Sequence, residues 1–283
     1  MGIITSQISE MINSQFYSRA SKEFRRILAK DFFIAHFLYF IYNHKDYRRL
    51  IFYGGTCSRV IYDLSRISED IDFDNSEGVN LDKLADNLVE FVKHELKIDG
   101  ADVHCQKGEW GIQRWTARMP VMKELGLSAN PTEKLHLKIE VSRHNQEKII
   151  KKTPVLRHGR TMVIKHFDES SLFSGKIIAC LERVWKKGRD NKLRVKGRDW
   201  FDLIWFMQRR VIPNELKLAK DGRQPYTVKS AMLALAKKIK TVRQEDLLID
   251  LTPLFPEKIF VEEWVKNFKE WFKRYAEFYK TAA

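Results

Sequence analysis

Apolar positions change their spacing along the chain. Up to residue 48 they recur at helical intervals, with Phe24, Ile27, Leu28 and Phe32 on one face and more aromatic residues following. Residues 50–53, 70–73, 101–106, 114–121, 135–142 and 161–165 read instead as short strands, with an amphipathic helix predicted over 81–96. The alternation is cleanest in 135–142, where Leu135, Leu137, Ile139 and Val141 face one way and His136, Lys138, Glu140 and Ser142 the other. A few helices among strands, without regular strand–helix alternation, predict an α/β (α+β) fold with a small mixed sheet and flanking helices. Beyond residue 170 the strand signals vanish. Helical spacing covers 172–186, 198–208, 227–239 and 261–279, so two domains are expected, 1–169 and a C-terminal helical bundle over 170–283.

Composition narrows the setting. With 51 Lys and Arg against 37 Asp and Glu, the 283-residue chain carries a formal charge of +14, which favours polyanionic partners, nucleic acid first. Lys186, Lys187, Arg189, Lys192, Arg194, Lys196 and Arg198 crowd one short run, which reads equally as an RNA-binding surface or as a solvated charged face. A second cluster gathers Lys148, Lys151, Lys152, Arg157, Arg160 and Lys165. Cys57, Cys105 and Cys180 have no metal-ligand or redox spacing, and an odd count suits a reducing compartment. The N-terminus has no signal-peptide pattern, and the most apolar stretch, residues 32–42, is too short to span a bilayer. A cytoplasmic location without membrane contact is expected.

The densest chemistry lies in 54–72, GGTCSRVIYDLSRISEDID. A glycine pair closes the apolar run 50–53, a short helix follows, and Asp70 and Asp72 then share one face of a strand. Two carboxylates so close are costly to keep ionised unless a cation neutralises them, and oxygen donors suit Mg²⁺ completed by substrate phosphates. Free N–H groups at the helix start would bind phosphate oxygens. Asp-x-Asp and Gly-Gly are each common as an exposed strand face and a turn, and their combination is what makes the pattern specific.

Gly54-Gly55-Thr56, Arg59, Tyr62 and Arg66-Ile67-Ser68-Glu69-Asp70-Ile71-Asp72-Phe73 resemble the signature of the AbiEii/AbiGii-type nucleotidyltransferase toxins. These include the MenT proteins and belong to the DNA polymerase beta-like superfamily. Three later segments extend the resemblance: Leu137 to Ser142 is similar to the family's third-carboxylate strand, Lys176 through Glu182-Arg183 to its lysine helix, and Arg198 to Leu203 to its Arg-Asp-x-x-Asp helix. Gly55 stands where the wider superfamily has serine, so a hydroxyl is missing and backbone donors must serve.

The resemblance implies a Mg²⁺- or Mn²⁺-dependent enzyme, the toxin of a toxin–antitoxin or phage-defence pair. It would transfer a nucleoside monophosphate from a nucleoside triphosphate to an RNA acceptor such as a tRNA 3′ end. Asp70, Asp72 and Glu140 would hold metal, while Gly54, Gly55, Thr56, Lys176, Arg183 and Asp202 would hold the nucleotide. Asp199 would orient Lys176, and the C-terminal domain would complete the active site. From the residues alone, Glu140 reads first as a surface glutamate paired with Lys138 or Arg143, and Arg198 and Asp202 equally as a structural ion pair one helical turn apart. Transfer to a protein or small molecule, and nucleotide or nucleic-acid binding without turnover, remain the alternative functions.

Overall fold

A computed structural model describes residues 2–108, 111–143, 145–187 and 192–281. The chain divides into two compact units, one of Met1–Asn145 with Ile150–His166 and one of Gln146–Ile149 with Phe167–Ala283.

The first unit opens with helices α1 (Ile3–Ile12) and α2 (Lys22–Asn43). Ser21 caps α2 by accepting from the Phe24 amide at 3.1 Å, and the helix then runs through the core with every residue from Asp31 to Leu38 buried. Strand β1 (Ile51–Tyr53), helix α3 (Gly54–Tyr62) and strand β2 (Asp70–Asp74) come next, then helix α4 (Leu84–His94). Strands β3 (Asp102–Lys107), β4 (Gln113–Met119), β5 (Leu135–Ser142), β6 (Ile150–Arg157) and β7 (Arg160–Phe167) complete a seven-stranded mixed sheet ordered β3-β4-β5-β2-β1-β7-β6. β2 lies at its middle, antiparallel to β1 and parallel to β5. Leu137, Ile139, Trp115, Ala117, Ile71 and Phe73 form the buried face, while α2 packs against β5 and α4 against β3 and β4. β6 has no counterpart among the strands expected from the sequence. It is an edge strand with mostly exposed residues and a proline, Pro154, so no apolar alternation marks it.

In the second unit α5 (Glu169–Glu182) is capped by Asp168, which accepts from the Ser171 amide. The strand pattern does not vanish here, contrary to expectation, because β8 (Trp185–Lys187) pairs antiparallel with β9 (Lys192–Arg194). The lysine helix therefore ends at Glu182 and not at 186, and Lys187 lies on a strand, off the face that carries Lys176. Strands of three residues, with Lys186, Lys187, Lys192 and Arg194 among them, leave no apolar alternation to read. Helices α6 (Gly197–Gln208), α7 (Glu215–Asp221), α8 (Val228–Lys238), α9 (Gln244–Leu251), α10 (Lys258–Ala276) and α11 (Phe278–Thr281) follow. Phe201 packs against Phe255 and Trp264 in the core of this unit. No helix among the described residues is long and apolar enough to cross a membrane.

Candidate active site

In β2 the side chains of Ile71 and Phe73 turn into the core, so Asp70 and Asp72 both point to the opposite face. Gly54 begins α3 with φ +81°, a conformation that glycine adopts without strain. A Cβ at Gly54 would lie 3.0 Å from Asp72 Cγ, so the missing side chain lets the carboxylate settle against the backbone at the helix start. The α3 N-terminus is thereby placed directly beside Asp72.

At Gly55 a Cβ would stand 2.5 Å from Arg66 Nη2. The space that a serine side chain would take is occupied by a guanidinium that is itself only 1 % exposed. Thr56 is fully buried, with Oγ1 2.8 Å from Ser68 Oγ and donating to the Asp70 carbonyl. Its hydroxyl thus pins the carboxylate strand.

The loop between α3 and β2 is held by an ion cluster that sequence inspection passed over. Arg59 donates to both oxygens of Asp31, at 2.7 and 3.3 Å, and also to the carbonyls of Leu64 and Arg66. Arg157 reaches Asp31 Oδ2 at 2.8 Å. Burial by itself raises the Asp31 pKa, but the two guanidinium groups outweigh it and the net shift is downward. A carboxylate inside the apolar run of α2 was the available signal, because such a charge is retained in a core only when paired. Glu69 pairs with Lys30 at 3.4 Å.

Asp72 lies in register with Glu140 on β5, and Asp70 with Lys138. Burial, joined by the nearby Glu69 and Glu140 charges, raises the Asp70 pKa against the opposing pull of Lys138 and Lys30. Glu140 is engaged from the next strand: Arg114 Nε and Nη2 both contact Oε1, at 2.7 and 2.6 Å. Its partner is therefore neither Lys138 nor Arg143. Among the described residues no group of three or more His, Cys, Asp or Glu side chains stands ready to hold a metal. The expected three-carboxylate centre is not pre-assembled. The donor set still fits a hard divalent ion, since Mg²⁺ is commonly held by one or two carboxylates with phosphate oxygens and water completing the shell.

In the second unit Lys176 lies 3.0 Å from Asp199 Oδ1 and 2.8 Å from Asp202 Oδ2, and Arg183 grips the other Asp199 oxygen. Both carboxylates are buried. Burial opposes ionisation of Asp199, yet Lys176, Arg183 and Lys196 hold its pKa far below the usual range. Arg198 pairs with Asp250 at 3.2 Å, and Asp202 with Lys176. Of the basic run, Lys196 lines a pocket with Arg183, Asp199 and Lys238, and burial lowers its pKa. That location is unlike the open charged face expected for it. Lys186, Lys187, Lys192 and Arg194 belong to the β8–β9 hairpin, and Arg189 lies outside the described residues.

Residues 36–281 match the family profile described as "Nucleotidyl transferase AbiEii toxin, Type IV TA system". Among solved structures, a crystal structure from H. pylori, provisionally described as a nucleotidyltransferase, aligns with a TM-score of 0.50 at 17% identity. The alignment covers 95% of this chain and 99% of that one and speaks for a shared fold. Among curated proteins no sequence gives a significant match.

Proposed function

The chain belongs to the AbiEii nucleotidyltransferase family, and from that premise we propose that it moves a nucleoside monophosphate from a nucleoside triphosphate onto RNA with the help of Mg²⁺. The observation that carries this reading is the contact between Asp72 and the backbone of Gly54. It puts a metal-binding carboxylate and the amide-rich start of α3 at one point, where a triphosphate needs both a cation and N–H donors. Asp70 and Asp72 would hold the metal, with Glu140 joining them once substrate is bound. A divalent ion held there would supply Lewis-acid stabilisation of charge on the α-phosphate and would favour ionisation of the attacking hydroxyl.

The amides at Gly54 and Gly55 bind phosphate oxygens, with no side-chain hydroxyl required. In the reaction an RNA hydroxyl oxygen forms a bond to the α-phosphorus, the bond to the bridging oxygen breaks, and pyrophosphate leaves opposite the attacking group. The hydroxyl proton passes to solvent. For the second unit the family resemblance carries the assignment: Lys176 and Arg183 contact the triphosphate, with Asp199 and Asp202 holding Lys176 in place. The basic run 186–198 contributes RNA contacts, and a tRNA 3′ end is the acceptor that the resemblance favours. The family's toxin–antitoxin designation adds an antitoxin counterpart.

The direct test incubates each α-labelled triphosphate with Mg²⁺ and separate pools of RNA, protein and metabolites. Label is expected in RNA only, and Asp70→Asn or Asp72→Asn is expected to abolish it while the protein stays folded. Label in the protein or metabolite pool would replace the acceptor, and near-normal transfer by either variant would remove these carboxylates from the mechanism.

A further inference from the structure

The sheet order places different chemistry on the two flanks of β2. On one side lies β1, which leads into the glycine turn and α3; on the other lie β5 and then β4. Direct cross-strand partners share a face, so the face that carries Asp70 and Asp72 continues through Lys138 and Glu140 on β5 to Thr116, Arg114 and Arg118 on β4. This stretch is open to solvent: Lys138 is exposed, and the Arg114 and Arg118 side chains are 40% and 43% accessible.

Its cations are held by carboxylates. Arg114 is matched with Glu140, Lys138 lies beside Asp70, and Arg118 shares Asp102 with Lys134. A divalent ion on the carboxylates of β2 and β5 would take over the neutralisation of Asp70 and Glu140. Lys138 and Arg114 would then be left facing solvent with uncompensated positive charge. In-line displacement adds a direction, because the attacking oxygen must enter opposite the leaving pyrophosphate. Phosphates seated at the glycine turn, on the β1 flank, leave the β5–β4 flank for the acceptor.

Resting on the nucleotidyl-transfer reading above, we propose that the open face of β5 and β4 is the track along which a single-stranded RNA acceptor reaches the carboxylates, with Lys138, Arg114 and Arg118 contacting its phosphates. This surface is distinct from the basic run 186–198. Its spacing suits the task, since neighbouring strands lie about 4.8 Å apart and β4 therefore runs about 10 Å from β2.

The test uses the full chain and a fluorescent single-stranded RNA oligonucleotide, with affinity measured across a salt series in EDTA-free buffer containing Ca²⁺. Binding of a fluorescent triphosphate analogue is measured alongside. Lys138→Gln with Arg118→Gln is expected to weaken RNA binding roughly tenfold and to flatten the log–log salt slope by about 1.4, at about 0.7 for each lost phosphate contact. Triphosphate affinity should stay within about twofold, since removing a charged contact from the other flank leaves the amides at the turn in place. Lys45→Gln with Lys93→Gln removes the same charge from the exposed turn after α2 and from α4 and is expected to keep the wild-type slope.

An unchanged slope in the first variant, or an equal loss in the second, overturns the track. If the wild-type protein labels RNA and these results still appear, only the track fails. If it binds triphosphate but neither binds nor labels RNA, the RNA acceptor fails as well, and a protein acceptor becomes the reading to pursue.

Discussion

Gly54→Ala isolates the contact on which the site is built. At φ +81° an alanine bears the steric cost of left-handed backbone, about 1–2 kcal/mol. Its methyl carbon would also stand 3.0 Å from Asp72 Cγ, closer than ordinary van der Waals contact, and against a carboxylate oxygen nearer still. Asp72 is carried by a central strand hydrogen-bonded on both sides, so the strand resists moving and the carboxylate itself must swing away. A thermal melt should therefore fall by about 2–8 °C, taking about 2–4 °C per kcal/mol for a protein of this size. The larger effect falls on chemistry, because a misplacement of about 1 Å in a reacting constellation can cost about a hundredfold in rate. Mn²⁺ binding followed by electron paramagnetic resonance, together with label transfer to RNA, reads both consequences. Wild-type Mn²⁺ affinity and wild-type transfer in a protein whose melt has dropped would refute the argument, since the strain would then be present without moving Asp72.

Three other perturbations have defined outcomes. Restoring the superfamily serine by Gly55→Ser should lower stability by about 1–3 kcal/mol and not improve nucleotide binding, because buried Arg66 fills that space; denaturant titration and a nucleotide binding curve decide it. Asp31 has a depressed pKa in the folded protein, so it contributes stability that is present above about pH 4 and is lost as pH falls through the folded value. Asp31→Asn should thus lower the melt at neutral pH and narrow its gap to wild type under acid, and a constant gap from pH 7 to pH 2 would show that ionisation is not what Asp31 contributes. Lys176→Ala should slow transfer by at least roughly a hundredfold, the scale of one preorganised electrostatic contact, whereas Lys187→Ala, off that helix, should matter far less. Equal, small effects of the two would reduce Lys176 to a structural partner of Asp199 and Asp202.

Local spacing was enough to mark the elements that frame the chemistry. Alternation in 135–142 identified β5 to the residue, and the Gly-Gly turn followed by Asp-x-Asp identified the strand–helix–strand unit, because both depend on backbone geometry within a few residues. The lysine and aspartate helices were legible for the same reason, as was the family to which the whole pattern belongs. Edge strand β6 and the β8–β9 hairpin were not, since β6 buries no apolar face and the three-residue strands of the hairpin are too short to leave a period in the sequence.

Partnerships were decided only by tertiary structure. Asp31 meets Arg59 and Arg157 from 28 and 126 residues away, Glu140 is taken by Arg114 across a sheet, and Arg198 on α6 reaches Asp250 on α9. No spacing rule encodes these choices, because a charge takes whichever counter-charge the fold brings within reach as water is removed. The same holds for Gly55: sequence showed a missing hydroxyl, and only the packing revealed that a guanidinium stands in its place.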